Sequence, residues 1–374
     1  MVARCGPFRN WDRSEKLPVD FSHRIERERP IGAGGAIVQR LLRQMNALPW
    51  AAVLLFEFAA LVALLLAIAL MLTVQAKEPS AVKTSDGSKR IALSFDDAPR
   101  GPGAFLDPDV RPQLLTAALH RAGVKQAVFF TNPGRIDASN QAETQLRAYV
   151  AAGHILANHT ATHPVLSDVT ADRFLADIDK AEIWLKPEKG YRSWFRFPQL
   201  DEGGKNAAKR DAVRAGLKAR GLRNGYVTAD GWDWYLESLT IKAQKSGKRI
   251  DQNALRDLYV ETHVLAANFA DGLARRALGR APAHMLLLHE TDLAALYIED
   301  LVKALRADGW TIITADEAYR DPMGKLPAPV IADANGTLIQ MISWDKGVKG
   351  PRWFERNEVD VMNSLFKERV LHER

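Results

Sequence analysis

A single cysteine, Cys5, is all the thiol that this 374-residue chain possesses. No intrachain disulfide can form, and neither a CxxC redox pair nor a thiolate metal site can be assembled. Any metal has to be held by imidazole and carboxylate. The scarcity of cysteine leaves the compartment open, because an exported chain of this length can rely on its core instead of cross-links. Also missing are GxGxxG and GxxxxGK[ST], so no nucleotide is expected as a partner. The net charge of +6 is modest. No basic stripe interleaved with aromatics accompanies it, and nucleic acid is not an expected partner either. A basic face would suit an anionic cell-surface polymer, although a solvated surface is the simpler reading. Internal repeats and long low-complexity segments are absent.

Charge is missing from one long stretch. The run from Phe58 to Val74 has none, and at ~1.5 Å per residue it spans roughly 26 Å, close to the ~30 Å hydrocarbon core. Residues 49–76 are therefore expected to be a transmembrane anchor. A signal segment cut after Val74-Gln75-Ala76 is the alternative, which would make the remainder secreted. Arg24, Arg27, Arg29, Arg40 and Arg43 precede the span. By the positive-inside bias, residues 1–48 form a basic, disordered cytoplasmic tail, and the rest is extracytoplasmic, periplasmic or at the cell surface. Met45 is an alternative start. Residues 77–89, polar and rich in breakers, read as a linker.

From Arg90 the pattern alternates. Apolar strands (RIALSFDD, KQAVFFTN, HILANH, SWFRFP, NGYVTAD, AHMLLLHE, WTIITADEA) are separated by amphipathic helices, which predicts parallel strands with crossover helices in an open sheet or a (β/α) barrel. Polar residues gather at the carboxyl ends of strands: Asp96, Asp97, His159, Arg196, Asp230, Asp233 and His289. In barrels that end builds the active site. Residues 236–282 break the rhythm with two expected helices and read as an insertion beside the groove. The catalytic domain is expected over 90–322, with 323–374 as a C-terminal extension. There Asn335-Gly336 predicts a small hairpin within 330–345, and FERNEVDVMNSLFKERV predicts a packed helix.

The stretch GHILANHTATHP places His159 and His163 four positions apart, a spacing that puts both imidazoles on one face of a helical turn. Alone, such a pair is more often two ordinary histidines. One carboxylate of Asp96-Asp97 would complete a ligand set of two neutral imidazoles and an aspartate, with positions open for water and substrate. The second carboxylate would then stand beside the water as a general base, and His289 from another strand end would serve as general acid.

These residues carry a resemblance. SFDDAP, NHTATHP, RFP, DGWDW and LLLHE occur in the order and rough spacing of the five motifs of the polysaccharide deacetylases, the NodB-homology or carbohydrate esterase family 4. The resemblance spans roughly Lys89 to Tyr319. It implies a distorted (β/α) barrel, here preceded by one N-terminal transmembrane helix. It implies that Asp97, His159 and His163 bind a divalent metal, usually zinc, and that Asp96 is the catalytic base oriented by Arg196. Asp233 would hold His289 as the acid. Pro198, Gln199 and Trp234 would meet substrate, with the Gln199 N–H facing the oxyanion. Two departures stand out. Ala98 replaces the glycine of the first motif, and Gln199-Leu200 replace the usual Tyr-Gly of the third.

The expected function is metal-dependent removal of N-acetyl groups from an acetylated cell-envelope or extracellular polysaccharide, by a domain tethered to the membrane through the N-terminal helix. The alternatives are a catalytically silent glycan-binding domain and an O-acetyl esterase or small-amide hydrolase on the same scaffold.

Overall fold

The computed structural model describes residues 87–137, 141–326 and 336–373. The expected membrane segment at 49–76 lies outside the described residues, as does the Asn335 half of the expected turn. Among the described residues no helix is long and apolar enough to cross a membrane.

The alternation appears as expected. Strand β1 (Arg90–Ala98) leads through helix α1 (Arg111–Arg121) to β2 (Val128–Thr131), then α2 (Ala142–Ala151), β3 (Ile155–Asn158), α3 (Ala171–Leu185), β4 (Tyr191–Phe195) and α4 (Ala207–Ala219). After two short strands, β5 (Arg223–Asn224) and β6 (Ala229–Asp230), come helices α5 (Asp233–Lys245) and α6 (Gln252–Leu278). Strand β7 (Ala283–His289), helix α7 (Asp292–Ala307) and strand β8 (Thr311–Ile312) complete the sheet. All pairings are parallel, in the order β5-β4-β3-β2-β1-β7-β6, with β8 also on β1.

One expected strand is divided. NGYVTAD supplies β5 at one edge of the sheet and β6 at the other, with only residues 225–228 between them. A segment that short spans at most roughly 17 Å, so the sheet must curl until its edges nearly meet. The result is a distorted, unclosed α/β barrel. The crossing backbone is paired elsewhere: Gly225 N–H donates to Phe195 O at 2.7 Å and Thr228 N–H to Met285 O at 3.0 Å. A Cβ on Gly225 would collide with the Phe130 ring, so the crossing runs where only glycine fits.

Register explains why chemistry gathers at one end. Asp96 pairs with Phe130 on one side and His289 on the other, and Asn158 pairs with Phe195. The ladder continues one step beyond the strands: His159 N–H donates to Thr131 O, Arg196 N–H to Asn158 O and Glu290 N–H to Asp96 O. Side chains alternate along β1. Ser94 and Asp96 turn towards Arg196, whereas Ile91, Leu93 and Phe95 are fully buried in the apolar core.

Two local expectations change. The segment 236–282 was expected to hold two helices; from Gln252 onward it is one continuous helix, α6, opened by Asp251 accepting from the Asn253 and Ala254 N–H groups and closed by Gly279 at φ 70°. Where the second half of the expected hairpin would lie, the chain forms helix α8 (Leu338–Asp345), because Thr337 and Gln340 form a reciprocal capping box. The packed helix near the C-terminus appears as α9 (Val359–Leu365), continued by a wider turn to Val370. Leu338, Ile339, Ile342, Met362, Phe366 and Val370 are buried in the same core as β1 and β7.

Candidate active site

The pocket lies at the carboxyl ends of the strands, with a volume of about 400 Å³, and both aspartates of the first motif line it. Asp97 stands at φ 70°, a left-handed conformation that breaks the alternation of the strand, and both carboxylates face the same pocket. Ala98 does not share that conformation, so the alanine in place of glycine carries no backbone strain.

His159 and His163 meet, but not on a helical turn. They sit on a loop in which Thr160 and His163 adopt φ 68° and 62°. Asn158 Oδ1 accepts the Thr160 N–H at 2.7 Å, and Thr160 Oγ1 accepts the His163 N–H at 3.0 Å. The threonine after the first histidine thus holds the loop shut. The two rings end 5.0 Å apart between centroids.

The ligand test is passed by electrostatics as well as spacing. His159 Nδ1 is 2.8 Å from Arg196 O. A carbonyl can only accept, so Nδ1 carries the hydrogen and Nε2 keeps its lone pair. That Nε2 lies 3.7 Å from Asp96 Oδ2 and 3.9 Å from Asp97 Oδ1. Asp97 Oδ1 is buried without a hydrogen bond among the described residues, 3.2 Å from His163 Nε2 and 3.6 Å from Arg135 Nη2 at the rim. Two lone-pair donors so close repel unless a proton or cation lies between them. One ligand atom from each of Asp97, His159 and His163 lies within 4.8 Å of the others, and two imidazoles with a carboxylate suit a divalent metal. Burial drives both histidines below their ordinary range, well below for His159, which keeps them neutral as ligands must be. Burial alone would raise Asp97; the charged His289 imidazole, with Arg100, opposes it, and the carboxyl lies below the usual range.

Asp96 is the second carboxylate. Its Oδ1 accepts from Arg196 Nη1 at 2.6 Å, and Arg196 is itself buried, donating also to Ser94 Oγ, Gly225 O and Tyr319 Oη. Burial pushes Asp96 up to about 6, opposed by the Arg196 and His289 charges. Across the pocket, His289 Nδ1 lies 2.7 Å from Asp233 Oδ1, and Asp233 Oδ2 accepts the His289 N–H at 2.7 Å. Burial would lower His289, but the Asp233 carboxylate outweighs it and raises the imidazole above its usual value.

Gln199 and Trp234 line the pocket as expected. Gln199 stands at φ 55°, and its N–H donates to no group among the described residues. Pro198 is a correction: it is buried and does not line the pocket. Its ring opens the tight turn that brings Gln199 and Leu200 to the surface of the pocket.

Residues 83–220 match the family described as "Polysaccharide deacetylase". This domain belongs to that family. A chitooligosaccharide deacetylase of Bradyrhizobium sp. (strain ANU 289) is 42% identical over 81 residues, covering 22% of this chain and 32% of that protein. The chain thus spans about a third of the length of this curated relative. Among solved structures, a family 4 carbohydrate esterase from Streptomyces lividans, in complex with acetate, matches at 22% identity and TM-score 0.41, covering 62% of this chain and 97% of that one. The chitin deacetylase from Colletotrichum lindemuthianum matches at 18% identity and TM-score 0.44, covering 62% and 89%.

The polysaccharide deacetylase-family domain also lines its pocket with residues that motif reading left without a role. Arg100 donates to Asp97 Oδ2 at 2.8 Å. Asp230, raised to about 6 by burial, accepts the Trp232 N–H. Gly336, Thr337, Gln340, Trp353 and Asn357 come from the C-terminal segment. No spacing rule flags contacts made across a hundred residues. The long helix α6, expected near the groove, contributes none of the lining.

Proposed function

We propose that this chain is a metal-dependent hydrolase that removes N-acetyl groups from amino sugars of a cell-envelope or extracellular polysaccharide. The observation that carries the reading is the pair of oppositely poised groups flanking the ligand triad: Asp96 held by Arg196, and His289 held by Asp233. A binding module has no need of either.

Amide hydrolysis requires a nucleophilic water, a place for the oxyanion and a proton for the departing nitrogen. Held by Asp97, His159 and His163, a divalent metal, most simply zinc for this nitrogen-rich donor set, would supply the Lewis acidity that lowers the pKa of water and polarises the acetyl carbonyl. Asp96 Oδ1 is tied to Arg196, so Oδ2, which faces the triad, is the oxygen that takes the proton from the attacking water. The Gln199 N–H is free to donate to the oxyanion. Because Nδ1 of His289 is engaged by Asp233, Nε2 is the atom that gives its proton to the amine. The raised imidazole stays charged long enough to do so. Trp234 supplies an apolar wall for the sugar ring.

Residues 49–76 are proposed to anchor the domain, leaving it extracytoplasmic. Acetate release from an N-acetylated oligosaccharide tests the activity, with an acetylated xylan as the ester arm. Release from the oligosaccharide that is abolished by a chelator and by Asp97→Asn supports the reading. A folded full chain that releases nothing from any acetylated glycan, or only ester acetate, refutes it.

A further inference from the structure

Residues 336–373 lie outside the stretch that matches the family, yet they form one side of the pocket. Their position is fixed at both ends. Leu338 N–H donates to Val227 O at 2.8 Å, on the segment that crosses between sheet edges. Asn357 Nδ2 donates to Asp230 O at 3.0 Å, at the end of β6. The wall is built, not draped.

Three of its side chains are left with unused binding capacity. Trp353 donates its indole N–H to Asn357 O at 3.0 Å, which locks the ring, and the residue remains 40% exposed. Asn357 is buried, lines the pocket, and its Oδ1 has no hydrogen-bond partner among the described residues. Gln340 Oε1 accepts the Thr337 N–H, while its amide NH₂ donates to no group among the described residues. A buried acceptor without a partner is costly. An immobilised aromatic face, an acceptor and a donor together match a ring that has an apolar C–H face and a hydroxyl rim. On the catalytic side the pocket is lined by a second aromatic group, Trp232 and Trp234, with centroids 5.6 Å apart.

We propose that Trp353, Gln340 and Asn357 form a sugar subsite that receives the ring next to the acetylated one. This rests on the deacetylase reading and deepens it. The substrate is then a glycan of at least two rings, taken in preference to a free N-acetylated monosaccharide, and the preference resides in a segment outside the family match.

The test compares kcat/KM of the full metal-loaded chain on N-acetylglucosamine and on its β-1,4 tetramer. Trp353→Ala is expected to cut the tetramer-to-monomer ratio about tenfold, with the loss in KM, and Trp353→Phe to retain most of it. If Trp353→Ala loses its thermal transition, Trp353→Leu replaces it with the same expectation. An unchanged ratio overturns the proposal, as does a Phe variant that falls as far as Ala, since that marks a structural role only. If the wild type releases no acetate at all, the activity is refuted, and fluorescence titration of metal-free chain with the tetramer decides the subsite separately. Binding that weakens about tenfold in Trp353→Ala supports the subsite; binding that is absent or unaffected overturns it.

Discussion

Replacing Asp233 by asparagine removes one negative charge and changes little else in shape. His289 receives both oxygens of that carboxylate at 2.7 Å, inside a site where burial alone would push the imidazole down. An opposite charge at such range is worth about 1–3 pKa units, or roughly 1.4–4 kcal/mol. His289 must be protonated to serve as acid, so activity is lost as pH rises through its pKa. Lowering that pKa moves the alkaline limb of kcat/KM downwards by about 1–3 units. The acid limb belongs to Asp96, near 6 before any metal adds its charge, and acts in the opposite sense, since Asp96 must be ionised. With the limbs brought together no pH restores the wild-type maximum, and acetate release from the oligosaccharide at pH 8 is expected to fall about 30- to 100-fold. An aryl acetate such as 4-nitrophenyl acetate provides the control. Its leaving group departs as the anion and needs no proton, so its hydrolysis is expected to fall no more than about threefold. Equal losses on the two substrates, or an alkaline limb that stays in place, would refute the assignment of His289 as acid.

Three further outcomes follow from the same geometry. His163→Ala is expected to weaken zinc binding at least tenfold and to abolish acetate release while leaving the circular dichroism spectrum unchanged; isothermal titration and an acetate assay check both. Arg196→Met removes the guanidinium that opposes burial at Asp96, so the acid limb is expected to move up by about one unit or more, with Arg196→Lys partly restoring it. Asp292→Ala strands the buried Arg111, whose Nε lies 2.7 Å from Asp292 Oδ1, and also frees the Phe105 and Leu106 N–H groups. Breaking such a pair costs about 3–5 kcal/mol, so the thermal midpoint should drop by roughly 10 °C in a domain of this size. A midpoint within about 2 °C of wild type would count against it.

Much of the site was legible because parallel strands end together. Once the alternation is recognised, Asp96, His159, Arg196 and His289 have to share one end of the sheet. The paired histidines were found for an incomplete reason: four-residue spacing suggested a helical turn, whereas Thr160 and His163 in left-handed conformations bring the rings together. NGYVTAD looked like one strand, since its apolar pattern is blind to the sheet edge that each half joins. The strand expected after Asn335-Gly336 lost to a competing signal in the same stretch, the Thr-x-x-Gln capping box at Thr337 and Gln340. Trp353 and Asn357 carried no signal, because their importance lies in which distant carbonyls they reach.

The seam at residues 225–228 has a practical meaning. It is bonded on one side to β4 and β7, and on the other to the N–H of Leu338, so the late-coming C-terminal chain helps to clasp the place where the curled sheet fails to zip. A fragment trimmed to the homologous stretch would keep the triad's histidines and lose the acid, both edge strands of the sheet with β7, and the clasp. Whoever shortens this protein for crystallography or catalysis should keep residues 225–228 and 336–373 together with the strands they join.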